Sequence, residues 1–110
     1  MRPRFIRQLL AIFVLMLQVL ACDTTPEATP DYRVYRFAVQ VKVQDLVFDE
    51  NIYLVYDNNS RDGIIIDPGN ISAELEKLIE ENNIEVRAVL NTHGHPDHFG
   101  ANTFYRKKYG

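Results

Sequence analysis

The stretch that most constrains this chain is Thr92-His93-Gly94-His95-Pro96-Asp97-His98-Phe99-Gly100, because all 3 of its histidines fall there together with one carboxylate. Imidazole nitrogens and carboxylate oxygens are the common protein ligands of catalytic zinc and non-haem iron. His93 and His95 are two apart, so in an extended segment their side chains leave the same face. Pro96 suits the first position of a helix, which puts Asp97 and His98 in its first turn. A strand end thus offers one ligand pair and a helix start offers the next. The alternative is a polar loop whose histidines are unrelated. It fits poorly with spacing this tight in a chain that has no histidine elsewhere.

The residues before the motif alternate as strands do. Tyr35, Phe37, Val39, Val41 and Val43 are interleaved with Arg36, Ala38, Gln40 and Lys42, a period of two that predicts a strand with one buried face. Ile52 to Tyr56 is a second, more apolar run, and Asp57 to Gly63 is dense in turn formers that should close a hairpin. Ile64-Ile65-Ile66 reads as a buried strand. In Asp67-Pro68-Gly69, Pro68 fixes φ and Gly69 is free to take a positive φ. A helix follows, with Ile71, Leu75, Leu78 and Ile79 marking its core face, Ser72 as N-cap and Asn82-Asn83 as its stop. Val86 to Leu90 is again a strand and runs straight into Asn91-Thr92-His93. A last helix is predicted from about Pro96 to Lys108, with Ala101, Phe104 and Tyr105 turned inward. The order strand, strand, strand, helix, strand, motif, helix is α/β, and it puts the motif at the C-terminal end of a strand, where such folds place their sites.

The N-terminus has a different character. Arg2, Arg4 and Arg7 precede an apolar run from Leu9 to Ala21 that only Gln18 interrupts. This is the layout of a secretory signal, and the run is short of the roughly 20 apolar residues a spanning helix needs. Residues 23–31, rich in proline and threonine, read as an extended tether. Without the three leading arginines, nine basic residues face fifteen acidic ones, a net charge of −6. That balance argues against a nucleic-acid partner. The single cysteine, Cys22, excludes an intrachain disulfide.

Two resemblances give these features a setting. Val19-Leu20-Ala21-Cys22 resembles the bacterial lipobox, which implies a lipoprotein signal peptide over residues 1–22 and acylation of Cys22. The protein would then be lipid-anchored at the bacterial cell envelope, outside the cytoplasm. His93-x-His95-x-Asp97-His98 resembles the metal motif of the metallo-β-lactamase-fold hydrolases, and Gly63-Ile64-Ile65-Ile66-Asp67-Pro68-Gly69 resembles the strand and turn that precede it there. The look is nearest the hydroxyacylglutathione hydrolase (glyoxalase II) branch, over roughly residues 33–110. The resemblance implies the first half of an αββα sandwich, a mixed sheet with flanking helices, in a partial and truncated domain over residues 32–110.

The family's chemistry would follow from the resemblance. His93 and His95 would bind one metal, and Asp97 and His98 a second. The ions would be zinc, two per complete site, with iron or manganese as alternatives. Asp97 would also orient the attacking water on a small-molecule ester or thioester. Asp67 has two readings: support for the metal loop through a hydrogen bond, or a turn aspartate satisfying its own backbone. Gly94 would let the two histidine arms approach each other, and Gly100 would give room for backbone packing. His98 argues against the largest β-lactamase subclass, which carries cysteine in the corresponding second metal site. It leaves the His-bearing β-lactamases, lactonases and persulfide dioxygenases open. Two non-catalytic readings also stand: a zinc-capturing lipoprotein and an interaction module. Of the remaining carboxylates only Asp67 is placed to come near. Each metal therefore has two protein ligands, and the chain alone is expected to bind zinc weakly and not to turn over.

Overall fold

The alternation of apolar and polar residues resolves into strands in the computed structural model, which describes residues 31–110. The expected signal peptide, Cys22 and nearly all of the expected tether lie outside the described residues. β1 (Tyr32–Val43) and β2 (Leu46–Asp57) form a long antiparallel hairpin, reversing at Gln44, whose φ is 56°. β2 starts well before the apolar run at Ile52, because its first half pairs with β1 out to Val43 opposite Leu46. The turn residues after Asp57 act as expected: its Oδ1 accepts the N–H groups of Asn59 and Ser60 at 2.7 and 3.0 Å. β3 (Asp62–Ile66) then runs antiparallel to β2. α1 (Ala73–Glu81) carries the chain over to β4 (Glu85–Leu90), which lies parallel to β3, so the sheet order is β1-β2-β3-β4. This is a mixed sheet with helices, the expected α/β class.

Register decides which face carries the core. Phe37 pairs with Ile52, Leu54 with Ile65 and Gly63 with Val86, so one face of the sheet gathers apolar residues from all four strands. Leu75 and Ile79 of α1 pack on that face with Ala101 and Tyr105 from the C-terminal region. The opposite face is also apolar where Val34, Val55, Ile64 and Ala88 share a row. Val34 there is 63% exposed, and the core helices lie on the other side.

α1 is capped by Ser72, whose Oγ accepts the Leu75 N–H at 3.2 Å, and it stops at Asn82. Ile71 falls outside the helix and is exposed, a correction to its place in the core stripe. A second correction concerns the C-terminal helix, which is two helices: α2 (Pro96–Phe99) and α3 (Asn102–Tyr109). The break has a local cause. The Ala101 N–H, which would continue the helix, donates instead to the Pro68 carbonyl at 2.8 Å. Ala101 and Tyr105 are buried as predicted, but Phe104 turns outward and rests edge-on against Tyr105.

Candidate functional site

β3 and β4 are parallel neighbours, so their C-terminal ends lie side by side. Asp67 follows β3 and Thr92-His93 follows β4, and the Asp67 N–H donates to the Leu90 carbonyl at 2.9 Å. The turn after β3 takes its left-handed conformation at Asp67, with φ 53°, whereas no glycine of the described residues has a positive φ. An aspartate tolerates that region better than most residues. Gly69 has a different task. A Cβ there would overlap the Asp97 carbonyl oxygen, and one on Gly100 would overlap the Gly69 carbonyl oxygen. The two glycines let the β3 turn and α2 touch backbone to backbone. Gly94 faces open space, so the expected role of letting the histidine arms approach is not seen.

Asp67 is buried and its carboxylate is the hub of the loop. Oδ1 accepts the Thr92 N–H at 2.7 Å, and Oδ2 accepts the Thr92 hydroxyl at 2.6 Å and faces His98 Nδ1 at 3.2 Å. Burial, the largest single influence, pushes the carboxyl up. The two Thr92 hydrogen bonds and His98 outweigh it, and the group is held below the usual carboxylate range. The Thr92 hydroxyl has one proton and gives it to Asp67. Towards His93 Nδ1, 2.9 Å away, it can therefore only accept. That places the proton of His93 on Nδ1. The carboxylate likewise holds a proton on Nδ1 of His98. Both rings thereby turn Nε2 outward as the nitrogen for a further partner.

The three rings stand together, with His93 4.4 Å from His95 and 4.1 Å from His98 between centroids. Asp97, in the first turn of α2, brings Oδ2 to 3.5 Å from His98 Nε2. The four motif residues therefore form one group at the sheet end. Three further residues join it. Asn91 Nδ2 donates to the His98 carbonyl at 2.9 Å, and Asn102 Nδ2 donates to Asn91 Oδ1 at 2.6 Å, which ties α2 and α3 to the end of β4. Glu50 comes from β2, with Oε2 3.2 Å from His98 Nε2. Hydrogen bonding to Asp97, and then burial, raise the Glu50 carboxyl; the same hydrogen bond lowers that of Asp97. The expectation that only Asp67 would come near the motif is thus corrected. A signal was present: Glu50 continues the buried-face positions Ile52, Leu54 and Tyr56, where a carboxylate is out of place unless it has partners.

The donor chemistry suits a divalent metal. Imidazoles and carboxylates converge, and among the described residues no lysine or arginine forms an ion pair with Glu50, Asp67 or Asp97. Ligand-type atoms of Asp67, His93 and His98 lie within 4.8 Å of one another, as do those of Glu50, Asp97 and His98; in the first set the Asp67 carboxylate is engaged by Thr92 and His98.

Residues 46–110 match the family model described as the metallo-beta-lactamase superfamily. Among curated proteins, the chain is 32% identical over 72 residues to a hydroxyacylglutathione hydrolase of Pelagibacter ubique, covering 66% of this chain and 30% of that protein. It is 36% identical over 63 residues to hydroxyacylglutathione hydrolase GloC of Haemophilus influenzae, covering 57% of this chain and 29% of that protein. The chain thus spans about 30% of the length of these relatives. Among solved structures, the BLEG-1 B3 metallo-beta-lactamase is similar in fold, with a TM-score of 0.51 and 24% identity over 68% of this chain and 34% of that one.

Proposed function

The chain belongs to the metallo-beta-lactamase superfamily, and from that premise we propose that it carries the metal-holding part of a metal-dependent hydrolase acting on ester or thioester carbonyls. In this reading His93 and His95 hold one zinc ion and Asp97 and His98 a second, with iron or manganese able to substitute. A zinc ion so held polarises a carbonyl and activates water as a nucleophile at neutral pH. The observation that carries the reading is the anchoring of His98. Its Nδ1 is engaged by Asp67, itself locked by Thr92, so Nε2 is fixed in direction and tautomer towards Asp97. A carboxylate behind an imidazole is the usual support of a metal-bound histidine, and it raises the basicity of the outward nitrogen.

The roles of the chain's own side chains follow. Asp97 is the acceptor placed to orient a water for attack. Asp67 and Thr92 hold the loop and both outward-facing imidazoles. Thioesters are favoured among substrates because the named relatives are hydroxyacylglutathione hydrolases. For location, the Ala21-Cys22 boundary after a basic and then apolar segment supports a lipid anchor outside the cytoplasm.

Native mass spectrometry of the protein with added zinc tests the metal reading. Zinc adducts are expected on the wild type and are lost in His93→Ala/His98→Ala. Any thioester cleavage is expected to vanish when zinc is chelated. Failure to take up zinc, or cleavage by the metal-free protein, would contradict the reading.

A further inference from the structure

Glu50 is outside the His-x-His-x-Asp-His motif, yet it shares the outward nitrogen of His98 with Asp97. Its Oε2 is 3.2 Å from His98 Nε2, and Asp97 Oδ2 is 3.5 Å from the same atom. We propose that Glu50 is a third protein ligand of the metal held by Asp97 and His98. The inference rests on the metal-site reading given above and extends it by one residue.

Three observations lead there. The first is distance. Zinc binds imidazole nitrogen and carboxylate oxygen at about 2.0–2.2 Å, which makes the edge of a tetrahedral site about 3.3–3.5 Å. The separations of 3.2 and 3.5 Å from His98 Nε2 are within about 0.1 Å of such edges, and all three donor atoms lie within 4.8 Å of one another. The second is charge. Two carboxylates, with side chains 17% and 15% exposed, are pressed together from β2 and α2, and among the described residues neither has a lysine or arginine partner. Bringing like charges together away from water is costly unless a cation or a shared proton offsets them, and a bound cation would take the place of that proton. The third is placement. Glu50 sits on the core face of β2 two residues before Ile52, whose exposure is 0%, and its partner across the ladder is Val39. The rigid part of the hairpin therefore aims it, as a ligand position requires. Asp49, its neighbour, points the other way and accepts from Gln40 Nε2 at 3.2 Å.

A three-donor set leaves one tetrahedral position open, the arrangement of catalytic rather than structural zinc. The account of two ligands per metal then applies to the His93–His95 ion only. Glu50 makes the second site the tighter of the two within this chain.

The test uses the whole chain and zinc chloride, with affinity read by chelator competition and by the zinc-induced rise in melting temperature. Glu50→Gln should weaken the tighter site by about tenfold or more, and it should lose most of the thermal shift. Asp49→Asn should match the wild type. On the wild type itself, the carboxyl carbon resonance of Glu50 should move when zinc is added. That reading does not depend on how any variant folds, and a resonance that stays in place overturns the inference. If Glu50→Gln binds zinc as tightly as wild type while Asp97→Asn does not, the metal site stands and Glu50 is not part of it. If the wild type takes up no zinc, the underlying metal reading fails, and the inference with it.

Discussion

Gly69 and Gly100 meet backbone to backbone, and a side chain on either would occupy the other segment's space. The contact joins the β3 turn, which carries Asp67, to α2, which carries Asp97 and His98. The Pro68 carbonyl secures it by accepting the Ala101 N–H at 2.8 Å.

Gly100→Ala is therefore expected to push α2 away from the turn. Overpacking of this kind costs about 1–3 kcal/mol, so the melting temperature falls, and His98 moves off Asp67. Zinc affinity should fall with it. Gly94→Ala, at an open position, is the control and should change neither. Thermal unfolding of both variants with and without zinc checks this.

Tyr105→Phe probes the core without touching the motif. The Tyr105 ring is fully buried and its hydroxyl accepts the Ser72 N–H at 2.9 Å, which ties α3 to the start of α1. Removing the acceptor strands a buried N–H, at a cost of about 1–3 kcal/mol. Denaturant unfolding should register that loss, and zinc uptake by the folded protein should not change.

Asp67→Asn should change how the metal-free protein responds to acid. Burial pushes the Asp67 carboxyl up, but the Thr92 and His98 interactions hold it below the unfolded value of about 3.9. A depressed carboxylate contributes stability above its unfolded pKa and loses it as pH falls towards the folded pKa. The variant should be less stable at neutral pH and should show a shallower decline below about pH 4. Denaturant midpoints across that range would show both. Zinc binding should weaken as well, by roughly 10–100-fold, because the His98 tautomer is no longer held.

The lipid-anchor proposal is checked separately. Cys22→Ser should leave an unprocessed precursor that takes up no labelled fatty acid, whereas the wild type is labelled and membrane-associated. Equal labelling of the two would contradict the anchor.

Much of the architecture is legible in the residues, and what was missed shares a cause. Period-two alternation located β1, an apolar run located the second half of β2, and the Ser72 and Asn82 signals bounded α1, because all three depend on neighbours in sequence. The break between α2 and α3 does not. It arises because Pro68, distant along the chain, takes the N–H that helix continuation would need. The approach of Gly69 to Asp97 is likewise a long-range contact, and the positive φ went to Asp67 in place of Gly69. The four motif residues announced themselves by spacing. Glu50 is 43 to 48 residues before them, and only the register of β2 against β1 and β3 brings it to His98.

The most direct measurement is nitrogen-detected NMR of the imidazoles during zinc titration. The chain has 3 histidines and all lie in the motif, so every ring signal reports the site. The account predicts that Nε2 of His93 and His98 shifts to values of a metal-bound nitrogen while Nδ1 keeps its proton against Thr92 and Asp67, and that His95 shifts in the same titration. Three rings that keep their zinc-free nitrogen shifts in the presence of saturating zinc would contradict it.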